Sequence, residues 1–122
     1  MKLHAAAPGA HNLITAYGAG YVAVNGQRHG ANLIVTPDRV LRWDVPSFDS
    51  LAPESFEFAK SEQLEIVLLG TGPRQRFPDP ALTARLREAR IGLEVMDVQA
   101  ACRTYNILVA EERRVAAALL FE

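Results

Sequence analysis

The chain predicts an α/β domain with a central mixed sheet and a small antiparallel sheet beside it. Three observations lead there. The apolar run Leu64–Leu69 ends in Gly70-Thr71-Gly72 and leads, past Pro73–Asp79, into a helical pattern from Pro80. A second β run, Leu93–Met96, is again followed by a helical pattern. The first half holds only short β-type runs separated by tight-turn residues, which is the mark of an antiparallel meander.

Each element follows from local chemistry. Leu13–Tyr17 and Tyr21–Asn25 are strands parted by Gly18-Ala19-Gly20, and Asn25-Gly26 is the preferred dipeptide of a type I′ hairpin turn. Asn32–Thr36 is apolar and β-branched. Thr36-Pro37-Asp38-Arg39 is a turn in which proline presets φ at the second position. Val40–Val45 returns as a strand and Pro46 ends it. Ser50–Lys60 reads as a short helix, with Pro53 in its first turn and Glu54 at the positive end of its dipole.

Asp79 and Pro80 are an N-cap and first helical residue, Leu82, Leu86 and Ala89 hold helical spacing, and Gly92 can close that helix. The Leu64 and Leu93 strands are therefore parallel neighbours joined by a helical crossover. Asp97 caps the next helix. Val98, Ala101, Cys102, Tyr105, Leu108 and Val109 fall on one of its faces, so Val98 to about Glu112 is one helix despite the β-like Ile107-Leu108-Val109. Val115–Phe121 is the last strand.

At 122 residues the chain is one domain by size, with residues 1–10 as a loose tail and 11–122 as the α/β domain. A net charge of −1, with no basic face or tail, argues against nucleic acid as a partner. No apolar run approaches the ~20 residues of a membrane span, so no membrane insertion is expected. The opening MKLHAAAPGAHN has neither a secretory apolar region nor an Arg-rich transit pattern. One cysteine, Cys102, cannot form an internal disulfide and suits a reducing compartment. A cytoplasmic setting is expected.

The ordered set of LGTG at Leu69–Gly72, GLEVMD at Gly92–Asp97, ACRTYN at Ala101–Asn106 and RRVAAALL at Arg113–Leu120 resembles the domain of unknown function 498 family. Trp43 after the Pro37 turn and the helix near Pro53 match it too. That family includes the mitochondrial respiratory complex I assembly factor 3. The resemblance implies a three-layer α/β fold with an added antiparallel sheet, no established catalytic residues and a role through protein contact.

Candidate site residues cluster at the Gly-Thr-Gly loop. Gly70, Thr71 and Gly72 could cradle a small anion with backbone N–H groups, helped by Arg74 and Arg76. The opposing reading is that the glycines only permit a sharp turn. It carries more weight, because the motif is shorter than GxGxxG and lacks a P-loop lysine. Arg103, Thr104 and Asn106 lie off the apolar helix face and either reach this loop or are solvated. Cys102 and Tyr105 read as core. Trp43 reads as a core or inter-sheet residue rather than a partner anchor. His4, His11 and His29 lack metal-ligand spacing, so no metal and no cofactor are expected.

Two functions from different classes remain. One is a non-enzymatic interaction or assembly-factor-like domain with a protein partner. The other is an anion-binding protein or enzyme acting at the Gly-Thr-Gly loop. A flat loop with exposed apolar residues would favour the first, and a concave pocket walled by Arg74, Arg76, Tyr105 and Asn106 the second.

Overall fold

The computed structural model describes residues 11–121, and the tail expected through Ala10 lies outside them. Strands β1 (Ile14–Gly18), β2 (Tyr21–Val24) and β3 (Gln27–His29) form a three-stranded antiparallel sheet. The turn between β2 and β3 is the expected Asn25-Gly26, both with positive φ, 51° and 86°. The strand after it was not foreseen, because Gln-Arg-His carries no apolar signal; β3 is held by pairing to β2.

The main sheet has five strands in the order β5-β4-β8-β6-β7. Here β4 is Leu33–Val35, β5 Val40–Arg42, β6 Ile66–Gly70, β7 Gly92–Met96 and β8 Val115–Leu119. Strand β6 runs parallel to β7 and to β8, while β4 is antiparallel to β8 and β5. The parallel β6–β7 pair is as expected. The meander, however, divides: only its first part makes the added sheet, and the β4–β5 hairpin joins the main one. Strand β8 enters between β4 and β6 and is buried throughout. Residues 115–120 alternate between two cores, Val115, Ala117 and Leu119 on one side and Ala116, Ala118 and, just past the strand, Leu120 on the other. A strand covered on both faces reads as a continuous apolar run.

One face is covered by helix α3 (Val98–Ala110) together with Ile14, Val22 and Val24 of the small sheet. Trp43, Phe56, Leu86 and Ile91 fill the other face. The result is the three-layer arrangement with its antiparallel annex. Helix α3 is continuous and buries Val98, Ala101, Cys102, Tyr105 and Val109, as its spacing predicts. Asp97 caps it by accepting from Ala100 N–H at 2.9 Å.

The expected helix over 50–60 is broken into 3-10 turns at Phe48–Ser50 and Pro53–Phe56 and a short α1, Phe58–Ser61. The break falls at Leu51-Ala52, which are extended ahead of Pro53. Trp43 fixes the segment that follows: its Nε1–H donates to the Ser55 carbonyl at 2.9 Å, and its ring meets Phe56 and Phe58 edge-on. Strand β5 stops at Arg42, and Asn32 Nδ2 takes the Val45 carbonyl beyond it. After the short α2 (Ala84–Glu88), Arg90 adopts the left-handed conformation at φ 60°, where Gly92 was expected to close the helix. Gly92 instead opens β7.

Candidate functional site

The carboxyl ends of the three parallel strands meet at one edge, where ligands of open α/β sheets bind. Three backbone bonds knit this edge, from Thr71 N–H to Met96 O, from Leu120 N–H to Gly70 O and from Val98 N–H to Gly72 O, each 2.9 Å. The two glycines serve different ends. A Cβ on Gly70 would lie 2.9 Å from Leu119 Cδ2 and 3.3 Å from the Val98 backbone, so glycine lets α3 approach β6. Gly72 has φ 98° and is needed for its conformation.

Thr71 is fully buried. Its hydroxyl donates to Arg74 O at 2.7 Å and accepts from Arg76 N–H at 3.0 Å. Both its hydroxyl and its own N–H are thus engaged within the protein. Arg76 donates through Nη2 to Thr71 O at 3.2 Å and stacks its guanidinium on Phe48, 4.4 Å from the ring centre. Gln75 Nε2 donates to Val95 O on β7 at 2.8 Å. Asp79 accepts from Ala81 N–H at the far end. The loop of residues 73–79 is therefore fastened at residues 74–76 and again at Asp79. It holds out Phe77, which is 71% exposed.

Of the sequence-predicted residues, Gly70, Thr71, Gly72, Arg74 and Arg76 come together. Arg103 and Asn106 do not join them. Arg103 Nη1 donates to Tyr17 Oη at 3.2 Å. The Asn106 amide accepts from Ile14 N–H at 2.9 Å and donates to Ile14 O at 2.7 Å. It occupies the edge of β1 as a partner strand would and ties the small sheet to α3. Thr104 is half-buried on the same helix.

Gly72 and Pro73 also wall a cleft of about 360 Å³. Its other walls include Gly18 and Gly20 of the β1–β2 turn, Asp97 and Gln99 at the start of α3, and Phe121. Sequence reasoning named none of these five as site residues. Gly18-Ala-Gly20 was visible as a turn, but nothing local says that it shares a cleft with Phe121. Phe77 had a readable signal: an aromatic between Arg76 and Pro78 in a proline-punctuated loop has no strand or helix face to bury it.

Two of the three side chains with perturbed protonation among the described residues lie in the core. Burial pushes the Cys102 thiol up to about 12, outweighing the nearby Arg103 charge. Burial likewise raises the Tyr105 phenol, whose hydroxyl donates to Asn12 O at 2.9 Å. On the surface, a hydrogen bond from Arg113 Nε at 2.9 Å holds the Glu65 carboxylate below its ordinary range, with the Arg114 N–H adding to it. Among the described residues no three His, Cys, Asp or Glu gather as a metal site, and no helix is long and apolar enough to cross a membrane.

Fold and site together define a small three-layer α/β domain whose sheet edge carries a fastened, outward-facing loop. The chain belongs to the family described as protein of unknown function (DUF498/DUF598), matched over residues 14–120. It is 40% identical to a Bordetella parapertussis protein of known crystal structure, with a TM-score of 0.87 over 93% of this chain and 98% of that one. A Bordetella pertussis solution structure described as a Mth938-like domain shares 34% identity and a TM-score of 0.81, over 98% and 92% of the two chains. A Xenopus tropicalis relative named NADH dehydrogenase (ubiquinone) 1 alpha subcomplex assembly factor 3 is 34% identical over 109 residues, covering 88% of this chain. The chain spans 60% of that relative's length.

Proposed function

We propose that this domain works by protein contact, as an assembly-factor-like module, with residues 73–79 as its contact surface and Phe77 as the anchor. The observation that carries the reading is Phe77 itself, a large apolar side chain 71% exposed on a loop held by internal hydrogen bonds. A fixed loop loses little entropy on binding, and aromatic and arginine side chains dominate the energetics of protein interfaces. The assembly-factor name of the Xenopus relative agrees with this. The proposed setting is cytoplasmic, where the buried Cys102 thiol stays reduced.

A second reading places a small ligand in the cleft. Its volume of about 360 Å³ lies within the range of ligand pockets, roughly 300–1,000 Å³. Among the described residues the cleft lining includes Asp97 and no arginine, which favours a neutral or cationic ligand over an anion. Isolation of complexes formed by the tagged protein in its own cells separates the readings. Wild type, Phe77→Ala and a control, Val40→Ala, are compared. Loss of a defined partner in Phe77→Ala alone supports the contact surface. Unchanged complexes in that variant refute it.

A further inference from the structure

We infer that the Phe77 loop receives an acidic segment of a partner protein, one that carries an apolar side chain between its carboxylates. This deepens the contact-surface reading and depends on it. The segment that carries Phe77 is one-sided in charge. Residues 73–90 carry Arg74, Arg76, Arg85, Arg87 and Arg90 against Asp79 and Glu88, in a chain whose net charge is −1.

The structure sorts these arginines. Arg85 is engaged by Glu57 at 2.8 Å and Glu54 at 3.9 Å, so its charge is met within the chain. Arg76 lies on Thr71 O and the Phe48 ring. Arg87 extends back along α2 and donates to Pro80 O at 2.9 Å and Thr83 Oγ1 at 3.0 Å. Both acceptors are neutral, so its positive charge stands uncompensated by them at the root of the loop. Arg74 is exposed on the loop itself. Asp79 is the single carboxylate within residues 71–87, and its Oδ1 is occupied by Ala81 N–H.

An apolar anchor on a loop that carries Arg74, with Arg87 at its root, matches a segment with the reverse pattern. Carboxylates would pair with the guanidinium groups, in which planar donors favour carboxylate geometry. The apolar side chain would cover Phe77. A basic segment would meet repulsion from Arg74 and Arg87.

The test is an NMR titration of the full chain, isotope-labelled, with three synthetic peptides. One alternates Asp and Glu around a central Leu-Phe pair, one has the same acidic residues around Ser-Gly, and one has Lys around Leu-Phe. The expected result is saturable shifts at amides of residues 73–88 with the first peptide. Its affinity should drop at least about tenfold in Phe77→Ala and in Arg74→Glu/Arg87→Glu, as loss of interface anchors does. It should also weaken from about 0.05 to about 0.3 M salt, because exposed pairs are screened. Equal binding of the Lys peptide, binding of the Ser-Gly peptide to the wild type as tight as that of the Leu-Phe peptide, or no saturable shift at these residues would overturn the inference.

The cellular complex tells its failure apart from failure of the contact surface. A partner lost in Phe77→Ala but kept in Arg74→Glu/Arg87→Glu refutes the acidic chemistry and leaves the contact surface standing. A partner indifferent to Phe77 refutes both.

Discussion

Replacing Thr71 with valine keeps the side chain's shape and removes one oxygen. That oxygen donates to Arg74 O at 2.7 Å and accepts from Arg76 N–H at 3.0 Å, from a fully buried position. Each hydrogen bond is worth about 1 kcal/mol net, and an orphaned partner costs about 1–3 kcal/mol unless water reaches it. The loop is at the surface, so water can reach Arg74 O once the loop loosens. The expected loss is therefore about 2 kcal/mol, the sum of the two net bonds and the lower end of what two buried orphans would cost. For a chain of this size that lowers Tm by roughly 6–10 °C. Chemical denaturation should give the same loss with an unchanged m-value. Hydrogen exchange at the Arg76 amide should accelerate more than at β8, because the loop opens before the core. A variant that melts with wild type and keeps Arg76 protected would show that the hydroxyl does not hold the loop.

Gly70→Val and Gly72→Val should each cost about 1–3 kcal/mol, the first by overpacking against Leu119 and α3 and the second by backbone strain; Arg74→Ala should stay within about 0.5 kcal/mol, and equal melting of all three would contradict the tight turn. Asn106→Ala should release Ile14 N–H and O and speed exchange across β1 ahead of the main sheet, whereas unchanged exchange would refute the tether. The folded Cys102 thiol is raised from an ordinary 9.0 to about 12, so its contribution is fully present below pH 9 and is lost as pH climbs toward 12. The raised Tyr105 acts in the same direction above its ordinary value of 10.0. Stability should thus fall through this alkaline range, and native Cys102 should resist thiol reagents near neutrality; rapid labelling would contradict its burial.

Elements whose burial is written in their own spacing were legible. Helix α3 reads from its apolar offsets, and the β2–β3 turn from Asn25-Gly26. The β6–β7 pair reads from strand–loop–helix order. What failed depends on distant partners. Gln27–His29 is a strand only because β2 offers its edge. The segment after the break at Leu51-Ala52 is set by Trp43, which donates to the Ser55 carbonyl from just past β5. The β4–β5 hairpin leaves the meander because β8, from the far end of the chain, pairs with β4.

The site divides the same way. The Gly-Thr-Gly loop was visible at its strand end, but the inward turn of Thr71 depends on Arg74 and Arg76 folding over it. Asn106 gave no local sign that it faces Ile14. The cleft joins a turn near the start of the chain to Phe121 near its end, a closure no window of sequence contains.

The most direct measurement places a photo-crosslinking amino acid at position 77 in the living cell, with Ile107, 58% exposed on α3, as the control position. A fixed loop presenting Phe77 to a partner predicts a discrete protein adduct from position 77, lost in Thr71→Val, and none of the same mass from position 107. No adduct at position 77, or the same adducts from both positions, would contradict it.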